Sequence, residues 1–170
     1  MKRLLLTLAV LVGVVSLTVG VSSGLAATRS SGTKVAVATT GLGKILVDAH
    51  GRTLYLFEKD KSGKSACSGQ CATFWPPLMT SGKPVAAAGV KASLLGTTRR
   101  ADGRLQVTYN HHPLYTFYKD TRKGQTTGEG LDFFGGEWYA VSPAGKTVEK
   151  EAKTASSNSP SPGYGSGYGY

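Results

Sequence analysis

The sequence predicts an all-β protein in which antiparallel hairpins from two tandem repeats pack as a small sandwich or barrel with little helix. The first observation is an internal repeat: RTLYLFEKDKSGK begins at Arg52, and HPLYTFYKDTRKG begins at His112. The second is that apolar and β-branched segments alternate with turns rich in Gly, Asp, Asn and Pro. The third is that only ASLLGTT and the stretch from Cys67 to Trp75 are suited to a helical turn.

Short segments with the composition of strands follow one another along the chain, and the turns between them favour hairpins. In order they are KVAVATT, KILVD, RTLYLFE, RLQVTYN, PLYTFYK, GEWYAVS and KTVEK. The turn DAHG provides Gly51 for a positive φ, and NHHP places Pro113 at the first residue of a strand, where a missing N–H is tolerated. Together they predict a single β domain over residues 33–151.

The repeat extends beyond its opening motif, so we assign the two units to residues 43–83 and 103–146. WPPL, which begins at Trp75, corresponds to WYAV, which begins at Trp138. Side chains two apart on a strand share a face, which predicts that the aromatic faces of the units pack around a pseudo-twofold axis. The motif residues are Tyr55, Phe57, Asp60, Tyr115, Phe117 and Asp120. The two tryptophans are interpreted as core residues or, if exposed, as a ligand platform.

These features together resemble a bacterial secreted-repeat family, the lipoproteins with a Yx(FWY)xxD motif. The resemblance rests on the two motif copies, on CSGQCATFWPPL after the first and on GEWYAVSPAGK after the second. It implies a location in or outside the cell envelope and no assigned biochemical activity. The chain lacks the lipidated cysteine of the lipoprotein members at the end of its first apolar stretch. We therefore expect a secreted or extracytoplasmic protein that is not lipid-anchored.

Both ends of the chain differ in composition from the predicted domain. Lys2 and Arg3 precede the apolar stretch LLLTLAVLVGVVSLTVGV and the small residues SSGLAA, which predicts a signal peptide over residues 1–27. An uncleaved anchor helix is the alternative. Cleavage leaves no transmembrane segment. Residues 152–170 are rich in Gly, Ser and Tyr and are predicted to be disordered.

The charge balance favours anionic partners. The chain carries a formal net charge of +10, and losing Lys2 and Arg3 leaves 18 basic against 10 acidic residues, a balance of +8. Such a surplus suits anionic envelope polymers or lipid headgroups. The lysines are scattered singly, so no specific nucleic-acid stripe is predicted. The candidate binding residues are Arg99, Arg100, Arg104 and Lys119, together with the two tryptophans if these are exposed.

Cys67 and Cys71 are the only cysteines, and their spacing in an exported chain predicts a disulfide. A redox-active pair or half of a metal site is the alternative. Asp60 and Asp120 follow the aromatic strands and are expected to accept backbone N–H groups of the next turn. The alternative for these carboxylates is a symmetric pair that binds a cation.

Three histidines lie in the turns, and a copper or haem site is the chemistry that they would offer. His50, His111 and His112 lack the His-x-His or Cys-His spacing typical of such a site. No catalytic triad elbow or phosphate-binding loop is present in the sequence. The sequence therefore favours a non-enzymatic envelope module without a cofactor, which binds or scaffolds through basic and aromatic surface. The alternative is a metal- or haem-linked redox accessory protein.

Overall fold

The computed structural model describes residues 32–148. The predicted signal peptide at 1–27 and the predicted tail at 152–170 lie outside the described residues. The elements in chain order are β1 Lys34–Thr40, β2 Gly43–Asp48, β3 Tyr55–Phe57, α1 Gln70–Phe74, β4 Met79–Thr80, β5 Val85–Ala86, a 3-10 turn at Ala92–Leu94, β6 Leu95–Arg99, β7 Leu105–Tyr109, β8 His112–Pro113, β9 Leu131–Asp132 and β10 Glu137–Ala140.

Short antiparallel sheets pack as a small sandwich, which confirms the predicted all-β class. One sheet has the order β2-β1-β5 and another β3-β10-β9, while the third joins β4, β7 and β6, with β8 also paired to β7. The pair of β1 with β5 is parallel. No closed barrel forms among the described strands. The helical turn predicted between Cys67 and Trp75 is α1.

The structure differs from the prediction in a segment expected to form a helical turn and in one expected to form a strand. ASLLGTT holds a 3-10 turn only at Ala92–Leu94 and then becomes β6, since its β-branched threonines pair with β7. PLYTFYK forms regular strand only at β8. Farther along it, Tyr115 makes isolated bridges to Tyr55 and Pro77. The ladder is interrupted there because Pro76 and Pro77 have no N–H to donate.

The repeated motif encodes a segment that is buried on both of its faces. Along β3, Tyr55 and Phe57 belong to an aromatic core cluster with both tryptophans. Leu54 and Leu56 instead join an aliphatic cluster on the other face. All four are at most 3 % exposed. Alternate side chains thus fill two separate cores, which explains why the motif contains no charged residue between Leu54 and Phe57.

Candidate functional site

The two repeats exchange their tryptophan segments. The segment after Trp75, from the first repeat, lies along the aromatic segment of the second: Thr116 N–H donates to the Pro76 carbonyl at 2.9 Å. In the other direction β10, from the second repeat, pairs with β3 of the first, with Trp138 opposite Phe57. Each aromatic segment is therefore completed by the opposite repeat.

Further hydrogen bonds across the exchange come in reciprocal pairs. The N–H groups of Tyr55 and Tyr115 each donate to the carbonyl of the other, at 2.8 and 3.0 Å. Leu46 N–H, in the first repeat, donates to the Val141 carbonyl of the second at 2.7 Å. In the opposite direction, Val107 N–H of the second repeat donates to the Leu78 carbonyl of the first at 2.8 Å. Such reciprocity is what a pseudo-twofold arrangement of two repeats requires.

The equivalent tryptophans stack on each other at the centre of the aromatic cluster. Their ring centroids are 3.9 Å apart with planes 3° from parallel. Phe57 stacks on Trp138 at 4.0 Å, and Phe117 packs on Trp75 at 4.3 Å, so each tryptophan also contacts the opposite repeat's phenylalanine. Both tryptophans are 0 % exposed. This burial agrees with the interpretation of Trp75 and Trp138 as core residues, and the alternative of an exposed ligand platform does not apply.

The motif carboxylates bind the tyrosines of the opposite repeat. Tyr55 Oη donates to Asp120 Oδ2 at 2.5 Å, and Tyr115 Oη donates to Asp60 Oδ2 at 2.8 Å. Each aspartate also accepts an N–H group from a loop. Asp60 accepts from Ala66 at 2.7 Å, and Asp120 accepts from Thr127 at 3.0 Å. The expected backbone contacts are present, and the tyrosine contacts were not predicted.

Burial sets the ionisation of this network. Desolvation, followed by the bonded Asp120, raises the pKa of Tyr55 far above its ordinary value of 10.0. The pKa of Tyr115 is likewise raised, first by burial and then by the Asp60 charge. Burial also raises the pKa of Asp60 above 3.8, although Ala66 N–H, Tyr115 Oη and Arg100 act in the opposite direction. Both tyrosines therefore remain protonated donors while the protein is folded.

Alkaline conditions are expected to destabilise the protein through these tyrosines. Their raised pKa values give a stability that is complete below about pH 10 and is lost as pH rises further, because only the unfolded chain then releases the protons. Each tyrosine adds a slope of about −1.4 kcal/mol per pH unit to the free energy of unfolding. Urea denaturation between about pH 9 and about pH 11 measures the slope. An unchanged slope in Tyr55→Phe/Tyr115→Phe would contradict this assignment.

The disulfide anchors the loop that follows the first motif. Cys67 and Cys71 are bonded with their Cα atoms 5.3 Å apart, which confirms the predicted bridge. Arg100 reaches this loop and donates to the Cys67 carbonyl at 2.6 Å and to Ser65 Oγ at 2.8 Å. A third bond, to Gln106 Oε1 at 2.6 Å, fixes the guanidinium. Arg100 is thus engaged within the fold and is not a free surface cation.

The other predicted cations, Arg99, Arg104 and Lys119, each contact a group close to them in the chain. Arg99 donates to the Gly103 carbonyl at 2.6 Å. Arg104 forms an exposed ion pair with Asp102 at 2.8 Å, and the pair raises the pKa of Arg104. Lys119 Nζ lies 5.6 Å from the centroid of the Tyr118 ring. Each of these cations already has a local partner.

A different group of cations lines one surface cleft, which we call the basic cleft. Its lining residues are His50, Arg52, Thr121, Arg122 and Lys123, around a volume of about 560 Å³. The turn after β2 supplies the first two, and the loop after the second motif supplies the others. The cleft is shallow and open to solvent.

Hydrogen bonds between the repeats hold the two sides of the basic cleft together. Gly124 N–H donates to the Gly51 carbonyl at 3.2 Å, and Thr53 Oγ1 donates to the Gln125 carbonyl at 2.6 Å. Gly51 has φ +81°, and a Cβ there would lie 2.9 Å from the Lys123 side chain. The absence of a side chain at Gly51 therefore permits the close approach of Lys123.

Asp48 positions the turn side of the basic cleft. Its Oδ1 accepts the N–H groups of His50 and Arg52, both at 2.9 Å. Its Oδ2 pairs with the Arg52 guanidinium at 2.7 Å. Asp48 is only 3 % exposed, whereas the Arg52 side chain is 44 % exposed. The buried carboxylate thus orients Arg52 from the protein side and leaves part of the guanidinium exposed to solvent.

The histidines are divided between separate surface grooves. His50 lies in the basic cleft, whereas His111 and His112 line a groove with Asp60 and Ser62. Burial, followed by the neighbouring His111, lowers the pKa of His112. Residues 32–148 contain no group of three or more His, Cys, Asp or Glu side chains that could hold a metal ion. The geometry gives the metal- or haem-linked alternative no support.

Sequence reasoning missed Arg52 as a cleft residue. The available signal was the repeat itself. The loop after the second motif, TRKG, has two adjacent cations, and the exchange places this loop against the turn of the first repeat. Arg52 and Arg122 are 70 positions apart in the sequence. Unless the exchange is known, nothing in the sequence indicates that they lie close together.

A family model describes this repeated architecture. It matches residues 36–79 and 96–142, and its description is a secreted repeat of unknown function. The chain belongs to this secreted-repeat family. The two matches cover more than half of the chain, and each contains one copy of the tyrosine motif and one tryptophan segment. Membership of the secreted-repeat family indicates an extracellular location.

No curated protein and no solved structure matches the chain significantly. Within residues 32–148, no helix has the length and apolar character needed to cross a bilayer.

Proposed function

We propose that this secreted repeat is a non-enzymatic module that binds anionic polymers of the cell envelope in the basic cleft. The observation that carries the proposal is the convergence of Arg52, Arg122 and Lys123 on one cleft. None of the described residues lining the cleft is acidic. The carboxylate of Asp48, which pairs with Arg52, is itself buried. The cleft therefore presents a net positive charge to solvent.

The shape of the basic cleft favours a polymer over a small ligand. Sites for small molecules usually enclose most of the ligand surface. This cleft is open, and its cations lie on exposed turns on either side. A chain of phosphate or carboxylate groups can cross such a surface and contact several cations in succession. Release of counterions from the polymer would then supply much of the binding free energy.

Retention on a polyanion is expected to depend on the basic cleft and on salt. Arg122→Glu/Lys123→Glu should weaken retention on immobilised inorganic polyphosphate and lower the slope of log affinity against log salt by about two, because two anion contacts are lost. Both side chains are exposed, so the fold should be unaffected. Salt-gradient elution of the exported protein measures the slope.

A matched control reverses the same number of charges outside the cleft. Arg104→Glu/Lys119→Glu should keep nearly all of the retention and slope, since neither residue lines the basic cleft. Equal loss in the two double variants would show that only net charge matters and would contradict the assigned cleft. Vesicles of phosphatidylglycerol separate the two anion sources. Binding to these vesicles without binding to polyphosphate would replace the polymer with a lipid headgroup.

A further inference from the structure

A cluster of aromatic side chains lies on the surface and lines no part of the basic cleft. We call it the aromatic patch, and it consists of Phe74, Tyr118, Phe133 and Phe134. Phe74 is at its centre, with ring centroids 4.8 Å from Tyr118, 6.3 Å from Phe133 and 6.0 Å from Phe134. Tyr118 is 45 % exposed and Phe133 is 50 % exposed. The rings thus form a contiguous apolar surface in contact with water.

Packing accounts for only part of the aromatic patch. Phe74 and Phe134 rest on the aromatic core cluster. Tyr118 and Phe133 are, with Val85, the only large apolar side chains classed as exposed between residues 32 and 148. A contiguous exposed apolar surface indicates an interaction site more strongly than scattered apolar residues do.

The loop that carries the outer ring is held in a costly conformation. Phe134 has φ +61°, a left-handed conformation that is unfavourable for a residue other than glycine. Lys59 Nζ donates to the Phe134 carbonyl at 3.0 Å, and Trp138 Nε1 donates to the Phe133 carbonyl at 3.0 Å. Core and surface groups therefore hold the backbone of both phenylalanines in place. Strain of this kind is concentrated at functional sites.

The surroundings of the aromatic patch contain both signs of charge. Lys59 and Lys119 contact it directly. Exposed carboxylates adjoin these segments in the chain: Asp132 precedes Phe133 and is opposite Glu137 in the sheet, and Glu58 precedes Lys59. This mixture does not complement an anionic bilayer or a polyanion. It does complement a neutral polyol, whose hydroxyl groups donate to carboxylates and accept from ammonium groups.

We propose that the aromatic patch binds an uncharged polysaccharide, with sugar rings packed on Tyr118 and Phe133. A pyranose ring has apolar C–H faces that match an aromatic ring, and its edge carries hydroxyl groups for the surrounding charged side chains. The two exposed rings flank Phe74, so neighbouring sugars of one chain can contact successive rings. The exposed area of two rings is much smaller than the roughly 800 Å² per partner of a stable protein interface. The aromatic patch shares no residue with the basic cleft and differs from it in chemistry.

The probes are cellohexaose, chitohexaose and amylose, and the readout is retardation in affinity gels containing the matching polymer. Wild type should bind at least one of them with little dependence on salt, because no ion pair is involved. Tyr118→Ala/Phe133→Ala should weaken that binding on the order of tenfold or more. Val85→Ala removes an exposed apolar side chain outside the patch and should bind like wild type. Arg122→Glu/Lys123→Glu should also bind the polysaccharide normally, even if polyphosphate retention is lost.

Wild-type NMR spectra provide a test that needs no variant. Addition of the bound oligosaccharide should shift the ring resonances of Tyr118 and Phe133, and leave those of the buried Trp75 unchanged. Binding to none of the three carbohydrates would overturn the proposal. So would full retention by a folded Tyr118→Ala/Phe133→Ala variant. Concentration-dependent dimerisation that this variant abolishes would assign the patch to a second copy of the chain instead.

Discussion

Trp138→Ala is expected to lower the free energy of unfolding by about 3–5 kcal/mol. Trp138 is fully buried between Trp75 and Phe57, with ring centroids at 3.9 and 4.0 Å, and its Nε1 donates to the Phe133 carbonyl. Alanine removes both stacks and leaves a cavity at the junction of the repeats. Small domains are stable by only about 5–15 kcal/mol, so most of that stability is at risk. Urea denaturation followed by tryptophan fluorescence from Trp75 measures the loss.

Phe133→Ala is the matched control for this prediction. It also truncates an aromatic side chain close to Trp138, but at a half-exposed position, so it should cost less than about 1 kcal/mol. The Phe133 carbonyl that accepts the Trp138 Nε1–H belongs to the backbone and remains. Similar losses from both truncations would mean that the stacked pair contributes no more than an ordinary surface contact.

Asp120→Ala is expected to cost about 3 kcal/mol or more, because it leaves buried donors without an acceptor. Asp120 is 2 % exposed and accepts from Tyr55 Oη at 2.5 Å, from Thr127 N–H at 3.0 Å and from Thr127 Oγ1 at 2.6 Å. Water cannot readily replace the acceptor at so buried a position. Thermal denaturation together with urea titration measures the effect.

The equivalent substitution in the other repeat gives an internal comparison. Asp60 accepts from Tyr115 Oη and Ala66 N–H but is only partly buried. Asp60→Ala should therefore cost less than Asp120→Ala. The reverse order would contradict burial as the reason for the difference.

Much of the fold could be predicted from the sequence because strand alternation, turn residues and cysteine spacing are local patterns. Alternating side chains and turn residues predict the hairpins, and a sequence separation of four predicts the Cys67–Cys71 bridge. The motif copies also predict that aromatic faces meet around a pseudo-twofold axis. Burial of Tyr55 and Tyr115 at 0 % exposure agrees with that expectation.

The exchange of tryptophan segments could not be predicted from the sequence, because the composition of a strand does not show which distant strand it pairs with. WYAV has the same strand character whether it pairs with its own repeat or with the other. For the same reason the tyrosine–aspartate contacts could not be assigned. Asp60 is five positions from Tyr55 yet bonds Tyr115.

The candidate sites were harder to predict than the fold because charge alone does not place a side chain. Arg100 is as cationic as Arg122, but its neighbours Ser65 and Cys67 bind it within the fold. The exposed aromatic residues were likewise not identified from the sequence. Tryptophans at repeat positions entered the core, while Phe133 in a loop remained exposed. Sequence composition does not distinguish these outcomes.

The exchange also links the fold to the proposed binding site. The basic cleft exists because the loop of the second repeat, with Arg122 and Lys123, lies against the turn of the first, with Arg52. Asp120, which begins that loop, is fixed by Tyr55 of the first repeat. Substitutions that weaken the exchange should therefore weaken polyanion binding even though they remove no cation.

Each repeat is completed by the other, and a double-mutant cycle across the tyrosine–aspartate contacts tests this exchange most directly. Tyr55→Phe combined with Asp120→Ala should give a coupling energy of about 1–3 kcal/mol, since their side chains bond across the repeats. Tyr55→Phe combined with Asp60→Ala, within one repeat, should be additive to within about 0.5 kcal/mol. Coupling confined to the pair within one repeat, with additivity across the repeats, would contradict the exchange.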